Sequence, residues 1–394
     1  MPRVSIILPT FNRADTILRA VESVRAQTFQ DWELIVVDDG STDGTAKLLE
    51  GLDPRVRIFS QENQGMGGAR NRGLRECAGD YIAFQDSDDE WLPHHLELFL
   101  AFFEAHPGED LLSGEFWFDN GGGNIVKHFR VWMSDWYPDL ARRIGSTSLA
   151  LPPGESDGYL RFYEKRQEIG DWGRAIVART PFKGVHHYSG NLGEKWRWGW
   201  LMATQATMFS RAALERFGLF DTSYPIASDF GYLAKLCRAY RANMLSIPSC
   251  IKHEYSAAGG KLKQDHLVTG KSALQFARDM LRWHDELYWN ERPDDPELSA
   301  LRGYCQLYAG RVALSRGLAK EALGYLEDAR RTVHVAEMDF LCLLPKMFPH
   351  PALLSAAYST FGRWQSLRDR ASSMLKQLRG ATTPTEGAQL RERI

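Results

Sequence analysis

A chain of 394 residues with a net charge of −2 is too long for one ordinary core and carries no overall positive charge of the kind that nucleic-acid-binding proteins use. Its five cysteines form no CxxC pair, which argues against a zinc cluster or a disulfide framework. No segment approaches the ~20 apolar residues that span a bilayer, and the apolar run before Pro9 is too short for a signal peptide.

The first hundred residues alternate between short apolar runs and amphipathic segments. The apolar runs predict strands at 4–8, 33–37, 56–59 and 81–84. Apolar residues at helical spacing predict helices between these strands and one after the fourth. Continuous apolar strands that alternate with such helices are typical of a parallel sheet covered on both faces. We therefore predict an α/β, Rossmann-like fold with a mostly parallel sheet between layers of helices.

A polar cluster follows each of these four predicted strands. The clusters cover residues 9–12, 38–44, 61–65 and 85–91. Ligands of an open parallel sheet bind beyond the carboxyl ends of its strands. Four clusters at those ends therefore predict one binding crevice.

The fourth cluster places Asp86, Asp88 and Asp89 within four positions, with no lysine nearby in the sequence. Two carboxylates ~6 Å apart repel by roughly 3 kcal/mol at an effective dielectric constant near 20, so the cluster needs a counterion. Hard carboxylate oxygens suit Mg²⁺ or Mn²⁺, which commonly bridge protein carboxylates to substrate phosphates. The alternative is a solvated turn that caps the helix beginning near Pro93.

The remainder of the chain divides into an irregular part, an ordered part and a helical part. Residues 105–200 are irregular, and residues 201–251 predict a strand, two helices and a final strand that ends at Pro248. We predict one domain at 1–265, with a ligand-binding half at 1–110 and a second half at 111–265. An all-helical extension at 266–380 contains one tetratricopeptide-like helix pair at 301–331, and 381–394 form a disordered tail.

The segments VSIILPTFNR, VVDDGSTDGT, GMGGARNRGL and FQDSDDEWLP occur in this order, and with them the sequence resembles the family 2 glycosyltransferases, which have a GT-A fold. The resemblance covers residues 3–110 strongly and 201–256 moderately. It implies a metal-dependent, inverting enzyme that transfers a sugar from a nucleoside-diphosphate donor to a hydroxyl of a saccharide or lipid-linked saccharide. It also implies Mn²⁺ or Mg²⁺ as the cofactor and a setting in bacterial polysaccharide or cell-envelope assembly.

The resemblance assigns residues to the nucleotide. Pro9, Thr10 and Asn12 are expected in the loop that lies against the nucleotide. Asp39 is expected to accept a hydrogen bond from the base. Because a carboxylate suits the uracil N3–H donor, UDP is the favoured nucleotide.

The resemblance also assigns residues to the diphosphate and the metal. Gly65 is expected to let the backbone approach the ligand, and Arg70 to meet a phosphate or brace Asp86. The alternative for Arg70 is a surface ion pair. Asp86 contacts the ribose, while Asp88 binds the metal in the DXD motif, with Asp86 beside it. For His253 the alternatives are metal ligation and a structural role.

The acceptor half is matched by FGLFDTSY (217–224) and IASDFGYLAKLCRAY (226–240). Asp229 is the predicted general base, although the usual Glu-Asp pair reads Ser228-Asp229 here. The alternative is a carboxylate that stabilises a helix N-terminus. Among seven tryptophans between Trp117 and Trp200, we predict that three form the acceptor wall, with core packing as the alternative: Trp196, Trp198 and Trp200.

The helical extension carries basic residues at 363–379 that would suit an anionic membrane surface. The alternatives are a solvated helix face and a contact between copies of the chain. The expected location is the cytoplasm, with peripheral contact at the inner face of the membrane. The expected partners are a nucleotide-sugar donor and a saccharide acceptor, with no nucleic acid. The competing hypothesis is a catalytically inactive GT-A-like scaffold that acts through its helical tail.

Overall fold

The computed structural model describes residues 1–119, 125–127, 137–143, 146–253, 272–335, 338–348 and 350–361. The chain divides into two compact units, one within Met1–Lys263 and the other within Gln264–Glu386. The predicted tail at 381–394 and the basic segment at 363–379 lie outside the described residues.

The first unit is built on one mixed sheet. Its described strands are β1 Val4–Thr10, β2 Trp32–Asp38, β3 Val56–Ser60, β4 Tyr81–Phe84, β5 Glu90–Trp91, β6 Leu111–Asp119, β7 Ile125–Lys127, β8 Lys165–Glu168, β9 His186–Gly190, β10 Thr207–Ser210 and β11 Ala242–His253. Its described α-helices are α1 Ile17–Arg25, α2 Gly65–Glu76, α3 His95–Ala105, α4 Tyr137–Arg143, α5 Asp171–Ala178, α6 Arg211–Phe217 and α7 Ser228–Ala239.

The strand order across the sheet is β3-β2-β1-β4-β10-β6-β11-β9-β8, while β5 pairs with β11 and β7 pairs with β6. The first four strands are mutually parallel, whereas β10 is antiparallel to both β4 and β6. The register aligns Thr10 with Asp38 and Asp38 with Ser60, so the carboxyl ends of β1, β2 and β3 meet at one edge.

The core explains why these strands read as continuous apolar runs. Every residue of β1 and β2 is buried, as expected for a sheet covered on both faces. Helix α2 lies directly on β1 because Gly73 has no side chain. A Cβ atom at this position would lie 2.5 Å from Cγ2 of Ile7. The close approach of α2 brings its N-terminal turn to the carboxyl edge of the sheet.

Strand β11 differs from the prediction. It does not end at Pro248 but continues to His253, with register shifts between Leu245 and Pro248 and between Pro248 and Cys250. Proline lacks the N–H that a regular ladder requires, and strands tolerate it at such irregularities. The continuation carries His253 to the same edge as Asp119 of β6, its partner in the sheet.

The second unit is helical where it is described. It contains α8 Ala273–His284, α9 Pro296–Ser315, α10 Ala319–Arg330, α11 Met338–Met347 and a helix at 351–361. The helix pair predicted at 301–331 corresponds to α9 and α10, which turn at Gly317 with a φ of 70°. The predicted α/β class with a C-terminal helical region is therefore confirmed. Within the described part of the chain, no helix combines the length and apolarity that crossing a bilayer requires.

Candidate active site

Backbone hydrogen bonds join the predicted clusters at the carboxyl edge. The N–H of Asp39 donates to the carbonyl of Thr10 at 2.9 Å, and the N–H of Gln85 donates to the carbonyl of Ile7 at 3.0 Å. The loops that follow β1, β2 and β4 are therefore neighbours. Pro9 and Thr10, the last two residues of β1, face this junction as part of the strand itself.

The loop after β1 is tied to the loop after β2 through Asn12. Its backbone adopts a left-handed φ of 51°, which asparagine tolerates better than most residues. The N–H of Asn12 donates to Ser41 Oγ at 2.9 Å, and its Oδ1 accepts from the N–H of Thr42 at 2.8 Å. This exchange fixes the shape of the crevice wall.

Asp39 is buried and held by one of its two carboxylate oxygens. Oδ1 accepts from Gln61 Nε2 at 2.7 Å and from the N–H of Gln64 at 2.9 Å. Oδ2 makes no hydrogen bond within the described residues. Next to this contact, Gly65 begins α2 with a φ of 77°, a conformation that favours glycine.

Each aspartate of the acidic loop 86–89 has a basic partner, which corrects the expectation that the cluster lacks counterions in the protein. Asp86 Oδ1 lies 3.1 Å from Arg70 Nη2, Asp88 Oδ2 lies 3.4 Å from Arg13 Nε, and Asp89 Oδ2 lies 3.7 Å from Lys252 Nζ. These cations come from α2, from the loop after β1 and from β11. Sequence proximity could not reveal them, because the fold brings them in from other elements.

Asp89 is the buried residue at the bottom of this loop, and it does not cap α3. Its Oδ1 accepts from the N–H of His253 at 3.1 Å, and its carbonyl accepts from Gln85 Nε2 at 3.0 Å. Burial raises the pKa of Asp89 to about 8, against the opposing charge of Lys252 and with the help of Asp88 and Asp86. Asp89 therefore joins the acidic loop to the end of β11.

Arg70 is the centre of the arrangement and is only 1% exposed. Its Nη2 donates to Asp86 Oδ1 at 3.1 Å, and its Nη1 lies 3.9 Å from Asp229 Oδ2. The guanidinium carbon lies 5.8 Å from the ring centre of Phe84 and 5.6 Å from that of Phe220. One buried cation thus brings together the carboxylate predicted to contact the donor and the carboxylate predicted to act as the base.

Asp229 lies in the first turn of α7, with its side chain 21% exposed. Its Oδ2 accepts from Thr204 Oγ1 at 3.3 Å, and its Oδ1 accepts from the N–H of Phe230 at 2.9 Å. Ser228, which replaces the expected glutamate, packs against α2. A Cβ atom on Gly67 would lie 3.0 Å from Ser228 Oγ, so a longer side chain at 228 has little room on that side.

A second link between α2 and the predicted acceptor half was not predicted from the sequence. Asn71 Nδ2 donates to the carbonyl of Phe220 at 2.9 Å, and its Oδ1 accepts from the N–H of Phe220 at 2.7 Å. The available signal was a polar residue next to Arg70 on the buried side of α2. Nothing in the sequence named its partner 149 positions away.

The predicted metal residues fit a site shared with a substrate better than a site made by the protein alone. Asp86 and Asp88 have side chains 19% and 12% exposed at the crevice. His253 is engaged elsewhere, with Nδ1 at 3.3 Å from Asp119 Oδ2 and Nε2 at 3.2 Å from Glu90 Oε2. Among the described residues, no group of three His, Cys, Asp or Glu side chains is placed to hold a metal ion.

Mg²⁺ and Mn²⁺ are commonly held by one or two carboxylates together with substrate phosphates. Asp86 and Asp88 satisfy this requirement, so the residues present fit a divalent ion that a bound diphosphate helps to hold.

The three predicted acceptor tryptophans lie close to α7 but differ in exposure. Trp196 and Trp198 are 0% and 3% exposed, whereas Trp200 is half-buried. The rings of Trp196 and Trp200 lie 5.6 and 5.2 Å from that of Phe230, the residue after Asp229. In this structure Trp196 and Trp198 pack in the core, and Trp200 is the one of the three with substantial exposed surface.

Comparisons with known proteins found one matching family model and several relatives. Residues 5–166 match the family model described as "Glycosyl transferase family 2". The chain is 45% identical over 179 residues to TuaG of Bacillus subtilis, a putative teichuronic acid biosynthesis glycosyltransferase. The matched region covers 43% of this chain and 71% of TuaG. It is 45% identical over 97 residues to the UDP-Glc:alpha-D-GlcNAc-diphosphoundecaprenol beta-1,3-glucosyltransferase WfgD of Escherichia coli, 24% of this chain and 38% of the relative.

Other matches are shorter or more distant. The chain spans 18% of the length of an uncharacterized glycosyltransferase of Rickettsia felis, to which it is 41% identical over 106 residues. The solved structure of S. aureus TarS 1-349 in complex with UDP has a TM-score of 0.49 and 17% identity, with 87% of this chain and 86% of that chain covered. The family model together with the match across most of TuaG identifies this chain as a member of the family 2 glycosyltransferases.

Proposed function

We propose that this protein transfers a sugar from a UDP-sugar donor to a hydroxyl group of a saccharide or lipid-linked saccharide. The observation that carries the proposal is the position of Arg70, which lies between Asp86 at the donor edge and Asp229 on α7. A glycosyl transfer needs a group that holds the donor and a base that takes the acceptor proton, side by side. The proposal of a UDP donor and a lipid-linked acceptor is supported by the name of the relative WfgD.

The nucleotide would lie against the loops after β1 and β2. Oδ2 of Asp39 makes no hydrogen bond within the described residues, so it can accept from the N3–H of uracil. Phe11, which the sequence analysis passed over, is 45% exposed beside Asn12 and offers a ring face for the base. The carboxylate favours a base with an N–H donor such as uracil, while the ring of Phe11 can stack on any base.

Asp86 and Asp88 would hold a divalent ion, Mn²⁺ or Mg²⁺, together with the donor diphosphate. Such an ion supplies charge stabilisation to a departing diphosphate. Arg13 and Arg70 keep the two carboxylates oriented toward the crevice, because each forms an ion pair with one of them.

Asp229 is the proposed general base. Thr204 and the N–H of Phe230 fix the orientation of its carboxylate. As the acceptor oxygen forms its bond to the anomeric carbon, its proton passes to Asp229. The bond between that carbon and the diphosphate oxygen breaks, and UDP leaves. One displacement inverts the anomeric centre.

The test combines ligand binding with turnover. We expect UDP with Mn²⁺ at a hundredfold excess over Kd to stabilise the protein by about 2.7 kcal/mol, measured by thermal unfolding. Asp88→Ala should remove the Mn²⁺-dependent part, whereas Asp171→Ala, on the exposed surface of α5, should retain it. Asp229→Asn should bind UDP normally while its turnover falls by about 10²–10⁴-fold, measured as UDP release with acceptor.

An unchanged metal effect in the Asp88 variant would reject the metal assignment. Absence of both UDP-dependent stabilisation and turnover in the wild type would favour the scaffold hypothesis. Full turnover in the Asp229 variant would show that another residue acts as the general base.

A further inference from the structure

An open cavity of about 870 Å³ lies in the first unit and shares no lining residue with the acidic loop 86–89. It is lined by eleven residues from the segment 150–167 and by Lys195, and its volume is within the range of sites for small ligands. Its charged lining residues are four basic and two acidic ones: Arg161, Lys165, Arg166, Lys195, Glu155 and Glu164. A local positive excess is notable in a chain whose net charge is −2.

The two acidic residues already have basic partners. Glu164 Oε2 lies 3.2 Å from Arg241 Nη2, a residue outside the cavity. Glu155 Oε2 lies 3.6 Å from Arg166 Nη1, which also pairs with Asp157 at 3.1 Å. These pairs leave the charge of Arg161 uncompensated by the acids of the cavity.

Arg161 is half-buried and is held by a neutral group. Its Nη1 donates to the carbonyl of Leu149 at 2.7 Å, while its buried Nε has no acceptor among the described residues. Burial, together with the nearby charge of Arg142, lowers the pKa of Arg161. An anion in the cavity would compensate the charge of this guanidinium and accept hydrogen bonds from it.

The cavity is connected to the proposed base through the chain. Lys195 lines the cavity, and the next residue, Trp196, packs on Phe230 with ring centres 5.6 Å apart. Phe230 directly follows Asp229. A ligand in the cavity therefore contacts the segment that also supports the start of α7.

We propose that this cavity binds an acidic sugar of the acceptor through its carboxylate or phosphate group, held by Arg161 and Lys165. The inference rests on the proposed glycosyl transfer, because it names the class of acceptor. A sugar-bound carboxylate and a sugar-bound phosphate each present two anionic oxygens that can accept hydrogen bonds from one guanidinium.

The test is titration calorimetry of the full chain with three probes: a glucuronic acid oligosaccharide, a phosphorylated oligosaccharide and a neutral glucan of the same length. We expect at least one acidic probe to bind about tenfold more tightly than the neutral one. Arg161→Gln and Lys165→Glu should each weaken that probe about tenfold, whereas Lys183→Ala, an exposed lysine outside the cavity, should not. Lys165 is exposed, so its variant tests the site even if Arg161→Gln fails to fold.

The stronger acidic probe identifies the group, carboxylate or phosphate. Equal binding of acidic and neutral probes, or equal weakening in the Lys183 variant, would overturn the proposal. UDP-dependent stabilisation is measured in the same samples. Acidic binding without that stabilisation supports the cavity and rejects the transfer function, and the reverse result rejects the cavity alone.

Discussion

Arg70 carries a buried positive charge whose two nearest carboxylates come from different halves of the first unit. A buried cation of this kind is costly to leave without partners, and the carboxylates are equally costly to leave without the cation. The residue therefore has a structural and a functional consequence that substitutions can separate.

We expect Arg70→Met to destabilise the protein by about 3–5 kcal/mol, because Asp86 and Asp229 then lose their shared cation. Arg70→Lys should recover most of that stability but little turnover, since an ammonium cannot span two carboxylates as the guanidinium does. Urea unfolding and UDP release measure the two effects. Wild-type turnover in the lysine variant would contradict a positioning role for Arg70.

At the scale of elements, the position of α2 depends on small residues that face β1 and α7. Gly73 allows contact with Ile7, and Gly67 allows contact with Ser228. The same helix presents Arg70 and Asn71, so its distance from the sheet sets the geometry of both halves of the site.

Gly73→Ala should destabilise the first unit by about 1–3 kcal/mol, because the added methyl group would lie 2.5 Å from Ile7 Cγ2. Gly324→Ala on α10 is the matched control. Its added methyl group meets no atom within 4 Å, so alanine should stabilise that helix by about 0.5–1 kcal/mol. Thermal unfolding of both variants gives the comparison, and equal effects would show that the contact with β1 is not tight.

Helix α3 carries a histidine that should make stability depend on pH. His95 is fully buried, and its ring lies 4.1 Å from Trp91 and 4.3 Å from Phe99, centre to centre. Burial lowers the pKa of His95 to about 3 from an ordinary value of 6.5. As pH falls below 6.5, the unfolded chain takes up a proton that the folded chain does not, so stability falls with decreasing pH.

From pH 7 to pH 5 this histidine should cost about 2 kcal/mol of unfolding free energy. His95→Phe should abolish that loss while keeping the aromatic stack. Because its pKa is raised, Asp89 makes the protein more stable as pH falls over this range. This contribution is the same in the wild type and in the His95 variant, so it cancels in the comparison. Urea unfolding at the two pH values checks the prediction, and parallel losses in both proteins would exclude His95 as the cause.

At the scale of the whole molecule, the sequence carries a charge pattern beyond the described residues. Residues 363–379 contain five basic side chains and one acidic one. Each basic residue near an anionic bilayer surface contributes about 1 kcal/mol to the free energy of membrane binding.

We expect the full chain to sediment with vesicles that contain an anionic lipid and to be released as salt is raised. A variant with its basic residues in this segment changed to glutamine should lose this binding. The wild type should not sediment with neutral vesicles. The changed residues are Arg363, Arg368, Arg370, Lys376 and Arg379. Binding that survives the five changes would place the membrane contact elsewhere or reject it.

Much of the fold could be predicted because its signals are local. The apolar runs of β1, β2 and β4 and the polar residues after them lie within a few positions of one another. The partners of the acidic loop could not be predicted in this way. Lys252 reaches Asp89 through β11, and that strand could be followed past Pro248 only once its register shifts were known. The two hydrogen bonds between Asn71 and Phe220 likewise could not be predicted, because they form only when distant parts of the chain come together.

The two hydrogen bonds between Asn71 and Phe220 have a consequence for any attempt to alter the protein by exchange of segments. The side-chain amide of Asn71 is paired with the backbone of Phe220, so the position of α2 depends on the turn at Phe220. The first 110 residues therefore cannot be exchanged independently of that turn. A hybrid that takes them from a relative must also take the turn around Phe220. Otherwise Asn71 would face a turn of different shape, and the distance between Asp86 and Asp229 would change.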